Sequence, residues 1–182
     1  MRSHNLSIPL VLSLLLAACA TKTATPPPSG ARFTLNPKKT TCAEFVALGS
    51  DVQPRLVALI DGYSRGGKLQ QQDLGVVDVD RQMDVLVVAC EQAPTESFWD
   101  KVRAKFPGGS KQVKPAQMTC EEYANLSQTE QAEVAYFADG YRRGVAQGDI
   151  GVVDLQRDTA TIVVACKPTP KESVWAKIKQ AF

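Results

Sequence analysis

The chain has 182 residues, with 21 Lys and Arg against 19 Asp and Glu and a formal net charge of +2. Its single histidine is His4, so everything downstream lacks the imidazole that Ser or Cys triads and most zinc sites use. No enzymatic chemistry, metal or cofactor is expected, and a pH sensor in this chain must respond near the carboxylate range rather than the histidine range.

Met1-Arg2-Ser3-His4 is a short basic start, and the apolar run after it ends Leu12-Ser13-Leu14-Leu15-Leu16. That is the anatomy of an export signal, residues 1–18, too short to span a bilayer as a helix. Leu16-Ala17-Ala18-Cys19 has the form of a bacterial lipobox. It predicts cleavage before Cys19, acylation of that thiol and a membrane partner reached through the lipid. An ordinary secretory signal cleaved nearby is the other reading, and both place the protein outside the cytoplasm. Ala20 after the acylated cysteine favours the outer membrane, facing the periplasm.

Residues 19–40 mix Pro, Thr and Lys without apolar periodicity and read as a disordered tether. Such a stretch reaches about 25 Å. Lys22, Arg32, Lys38 and Lys39 within it are available to anionic head groups, although solvation alone is the commoner state of a linker lysine.

From here the chain repeats itself, residues 41–106 being answered by 118–182 across a linker at 107–117. Thr41-Cys42-Ala43-Glu44-Phe45 matches Thr119-Cys120-Glu121-Glu122-Tyr123, and Asp61-Gly62-Tyr63 matches Asp139-Gly140-Tyr141. Gly75-Val76-Val77-Asp78 matches Gly151-Val152-Val153-Asp154, and Val87-Val88-Ala89-Cys90 matches Val163-Val164-Ala165-Cys166. Trp99 and Trp175 stand nine residues beyond those second cysteines. With Cys19 assigned to lipid, the other four cysteines fall as one pair per repeat, and in an oxidising compartment Cys42–Cys90 and Cys120–Cys166 are the natural bonds. Pairing across the repeats is also compatible with the sequence.

Within each repeat the elements read as helices, so the fold class is all-α, two tandem disulfide-stapled units of about four helices each. Gln53-Pro54 heads a helix carrying Leu56, Val57, Leu59, Ile60 and Tyr63 on one stripe and ending at Gly66-Gly67. Val134, Tyr136, Phe137 and Tyr141 form its counterpart. The β-branched run Val85-Leu86-Val87-Val88 suits a strand or a helix, and helix is favoured because helices flank it without a hairpin signal. Gly75-Val76-Val77-Asp78 reads as a tight connector. Phe98, Val102 and Phe106, like Val174, Ile178 and Phe182, repeat every four residues and stack on one helix face. Trp99 and Trp175, at equivalent helical positions, are expected in the core, with client anchoring as the other reading.

The pattern Thr41-Cys42, Glu44-Phe45, Gln53-Pro54, Val77-Asp78, Cys90, and Ser97-Phe98 with Lys101-Val102 resembles the HdeA-like family of periplasmic acid-stress chaperones. The second repeat departs from it with Ala132 in place of proline and Val174 in place of the aromatic. The resemblance implies small α-helical units with one disulfide each that dimerise at neutral pH and, loosened by acid, bind acid-denatured periplasmic proteins without ATP. It also implies that two fused repeats pair with each other.

Charge is compatible with that implication. The first repeat holds seven basic and ten acidic residues and the second seven and nine, so the basic excess lies outside the repeats. That acidity, with the envelope location, disfavours nucleic acid as a partner. Protonating carboxylates near their ordinary pKa of about 4 leaves each repeat strongly cationic and self-repelling. The surface for clients, or for repeat pairing, is assigned to Leu56, Leu59, Ile60, Val76 and Val77, with Val134, Phe137, Val152 and Val153 in the second copy. Asp61 and Asp139 could in principle act as a glycosidase-like carboxylate pair. The plainer reading is a turn or helix-end device, with Arg65 and Arg143 as their ion partners. A constitutive envelope module docking a fixed partner is the competing functional reading.

Overall fold

The computed structural model describes residues 34–66, 80–105, 114–147 and 149–182. The export signal, Cys19 and the connector at 75–78, with Val76 and Val77, lie outside those residues. In chain order the elements are β1 (Thr34–Leu35), α1 (Cys42–Val46), α2 (Gln53–Arg65), α3 (Asp80–Glu91), α4 (Phe98–Lys105), α5 (Cys120–Ala124), α6 (Gln128–Val145), β2 (Val153–Asp154), α7 (Ala160–Cys166) and α8 (Val174–Ala181). Among the described residues the fold is therefore all-α in two tandem sets of four helices, with one two-residue ladder added.

The short helices start where the sequence supplies caps. The Thr41 hydroxyl accepts from the Glu44 N–H at 3.2 Å while the Thr41 N–H donates to the Glu44 carboxylate at 2.8 Å. Thr119 and Glu122 repeat this reciprocal pair at 3.2 and 2.7 Å. Each pair satisfies amides that have no partner inside a helical turn. The next amides donate across the repeat: Cys42 N–H to the Glu96 carbonyl at 2.9 Å and Cys120 N–H to the Glu172 carbonyl at 2.8 Å.

The two copies diverge at the head of the long helix. Pro54 has no N–H to give and restricts the residue before it, so α2 opens at Gln53, with no side-chain cap on Val52. With Ala132 in that place, α6 continues a turn further upstream to Gln128 and is capped by Ser127 and Glu130. Gln53 and Gln131 keep one task in both copies, donating to carbonyls at the end of the preceding short helix region, among them Leu48 at 3.2 Å and Leu126 at 3.0 Å.

The β-branched run 85–88 is helical: Leu86 and Cys90, one turn apart, face the core while Val85 and Val88 face solvent. Cys42 bonds Cys90 and Cys120 bonds Cys166, with Cα separations of 4.7 and 5.0 Å.

Residues 34–40, expected above to be tether, belong to the fold. Thr34 pairs with Asp154 and Leu35 with Val153, so a strand upstream of the first repeat docks on the second. Asn36 to Lys39 then form a turn closed by the Lys39 N–H on the Asn36 carbonyl at 2.9 Å, with Pro37 buried. Lys114 to Gln117 make the same turn at 2.9 Å over buried Pro115, so the linker also gives up its last residues to the fold. The duplication thus begins at Asn36-Pro37 and Lys114-Pro115. Each turn delivers a carbonyl, from Thr40 or Met118, to the first amide of α4 or α8 at 3.0 Å.

One apolar cluster runs through the described residues of both repeats, from Phe45, Leu56 and Leu86 to Phe137, Ile162 and Ile178. Its centre is where α2 and α6 pack together.

Candidate functional site

Helices α2 and α6 lie side by side in the same direction, Leu59 and Tyr63 meeting Gly140 and Gly144 while Gly62 meets Phe137 and Tyr141. The contact is backbone on backbone. A Cβ on Gly62 would run into the Phe137 carbonyl, and one on Gly140 into the Leu59 carbonyl. Gly66 and Gly144 approach each other a turn later, where α2 ends. Only hydrogen side chains let two helices come this close. The sequence carried the signal, Gly-x-x-x-Gly at 62 and 66 and again at 140 and 144. The turn reading of Asp61-Gly62 and Asp139-Gly140 is therefore corrected: both dipeptides lie inside helices, at the crossing.

Aromatic pairs flank the glycines symmetrically. Trp99 meets Tyr63 edge to face at 5.3 Å, and Trp175 meets Tyr141 likewise at 5.8 Å. Both tryptophans are buried. Lys38, read above as available to head groups, lies over Tyr63 and Trp99, 5.1 and 5.7 Å from the ring centres, and 4.0 Å from the Asp149 carboxylate. It ties the first repeat to the second, and nothing in its sequence surroundings marks that role.

Each aspartate before a glycine is buried and held by arginines of its own helix. Arg65 Nε donates to Asp61 at 2.9 Å; Arg142 Nη2 and Arg143 Nε donate to Asp139 at 2.7 and 2.8 Å. The Arg65 guanidinium also lies 5.9 Å from the centre of the Phe137 ring on the other helix. Burial pushes the Asp61 carboxyl up from its ordinary 3.8 to about 6, against the pull of Arg65. Among the described residues its Oδ2 has no hydrogen-bond partner, which fits a carboxyl that takes a proton readily.

Of the residues assigned to the client surface, Leu56, Leu59, Ile60, Val134, Phe137 and Val153 are buried, and Val152 is 66% exposed. Leu59, Phe137 and their neighbours are brought together by the crossing, whereas Val153 sits in β2. In this conformation most of that surface is closed.

Further carboxylates in ion pairs and caps lie beside the disulfides. Glu96 pairs with Lys101 at 2.7 Å and Glu172 with Lys177 at 2.9 Å, each in the strip that receives the cysteine amide. Hydrogen bonds from the Thr119 backbone and side chain hold the Glu122 carboxyl below its ordinary value, and a hydrogen bond from Lys177 does so for Glu172.

Among the described residues no three or more His, Cys, Asp or Glu are grouped to hold a metal, and no helix is long and apolar enough to cross a membrane. A family model described as the HdeA/HdeB family matches residues 9–100 and 103–176. Over 66 residues the chain is 29% identical to proteins named probable acid stress chaperone HdeA from Brucella ovis, Brucella canis and Brucella suis, a stretch covering 36% of this chain and 58% of each relative. The chain thus spans less than two thirds of the length of the curated relatives it matches. No solved structure matches it.

Proposed function

Because the chain belongs to the HdeA/HdeB family, we propose that it is an ATP-independent acid-stress chaperone of the bacterial envelope, held closed at neutral pH and loosened when its carboxylates are protonated. The observation that carries this reading is the separation of two kinds of group. The apolar side chains suited to hold an unfolded client, Leu56, Leu59, Ile60, Val134 and Phe137, are shut in the core. The exposed corner beside the Cys120–Cys166 disulfide carries Glu122 and Glu172, whose hydrogen bonds favour the charged form.

The direction follows from linkage. Glu122 and Glu172 have folded pKa values below the ordinary 4.5, so the stability they contribute is present above that value and is lost as pH falls through their folded values. Asp61 acts in the opposite sense. Its folded value of about 6 lies above the ordinary 3.8, so its contribution is complete below 3.8 and is lost as pH rises through about 6. Acid therefore weakens the capped corners while relieving a buried charge at the crossing. Loosening starts at the periphery, and each disulfide limits how far its repeat opens.

In this reading the two repeats serve each other as the subunits of a dimer would, which the glycine crossing supports. Cys19 carries the lipid, and the upstream residues tether the folded part to the envelope. The clients are acid-denatured periplasmic proteins.

The test is light scattering from an aggregating client. Suppression at about pH 3, below the ordinary carboxylate range, with none at neutral pH, is the expected result. Equal suppression at both, or none at either, refutes acid-gated chaperone action.

A further inference from the structure

The duplicated helices α3 and α7 expose equivalent stripes that differ in character. On α3 the stripe is Asp84, Val85, Val88 and Glu91, with the valines 53% and 51% exposed. On α7 the same positions are Ala160, Thr161, Val164 and Lys167, with Val164 62% exposed. Glu91 in one copy has thus become Lys167 in the other. Next to the α7 stripe, α5 and α7 enclose a groove of about 300 Å³ over the Cys120–Cys166 disulfide, with Ala124 and Val163 as apolar wall, Lys167 on the rim and Glu121 also lining it. Among the described residues α3 packs on α1 and α4, and α7 packs on α5 and α8, and the valines of both stripes stay exposed.

We propose that the α3 stripe of one molecule docks on the α7 groove of a second copy of this chain, Val85 and Val88 entering the groove and Glu91 meeting Lys167. A second copy is the occupant because the complementary halves, an apolar ridge with acids at its ends and an apolar groove with a lysine rim, are carried by one chain on two different repeats. The contact joins unlike surfaces, so it is head to tail, and each molecule added leaves one ridge and one groove free unless a ring closes. It uses neither the α2–α6 crossing nor the side chains assigned to clients.

Sedimentation velocity of the full chain at neutral pH and low salt, across a wide micromolar range, tests it. Mass should rise with concentration and fall with added salt. Val88→Asp and Lys167→Glu should each move assembly to concentrations on the order of tenfold higher, with the helical circular dichroism unchanged. Glu91→Lys combined with Lys167→Glu should restore it, a result that loss of folding cannot produce. Single-copy sedimentation throughout, assembly indifferent to these substitutions, or failure of the charge swap to restore it overturns the proposal.

Discussion

The carbonyl oxygen of Phe137 occupies the space that a side chain on Gly62 would need. A mid-helix Gly→Ala change on an open surface stabilises by about 1 kcal/mol through helix propensity. At Gly62 the sign should reverse, because the obstacle is backbone, which cannot rotate away. Gly62→Ala and Gly140→Ala should each lose about 1–3 kcal/mol by overpacking, read from urea midpoints at neutral pH. The two changes insert into one contact, so the double variant should cost less than their sum. Stabilisation by either would mean that the helices do not touch there.

Glu122 caps α5 more strongly when charged. Glu122→Gln should lower stability at neutral pH, and its deficit should shrink as the wild type is acidified through the depressed value of that carboxyl. Urea midpoints measured from neutral pH to about pH 3 check this, and a deficit independent of pH would deny the carboxylate its part in acid loosening.

Asp61 should show the reverse trend. With a folded value of about 6 against an ordinary 3.8, ionising it in place costs the fold on the order of 3 kcal/mol between the two values. Asn resembles the protonated form, so Asp61→Asn should gain on the wild type as pH rises from about 4 to above 6. Carboxyl-carbon NMR should place the Asp61 midpoint well above those of the exposed aspartates.

Each disulfide closes a long segment, with sequence separations of 48 and 46. Replacing Cys120 and Cys166 together by Ser should cost about 4 kcal/mol in the chain-entropy account. In acid the second repeat should then expand beyond the compact state, seen as a larger radius in small-angle scattering, whereas the intact protein should swell only modestly.

The duplication and the helical class could be read directly from the chain, because they rest on local periodicity and on matches recurring in order, whereas the sequence favoured the pairing within each repeat but left pairing across the repeats open until the structure gave Cys42–Cys90 and Cys120–Cys166. The same comparison located Trp99 and Trp175 correctly in the core. It stopped short at Asn36-Pro37 and Lys114-Pro115, where a buried proline turn has the composition of a linker and its hydrogen bonds run to α4 and α8, distant in sequence. The crossing escaped for a related reason: Gly62 is explained only by Phe137, on another helix, and within its own helix it looks like a breaker. A two-residue ladder such as Thr34 and Leu35 with Asp154 and Val153 is below the length at which alternation has a period to detect. Lys38 gave no sign at all, since its ring partners and Asp149 come from three separate segments.

The ladder between Thr34-Leu35 and Val153-Asp154 also determines how force travels. The chain upstream of Thr34 is fastened first to the second repeat and only afterwards enters the first. A pull from the N-terminal side is therefore borne by those few main-chain hydrogen bonds and by Lys38 against Asp149. When they give way, the load passes to the Asn36 turn and the start of α1, next to Cys42, so tension would peel the N-terminal strand from the second repeat first and leave the packed helices α2 and α6 still joining the two halves.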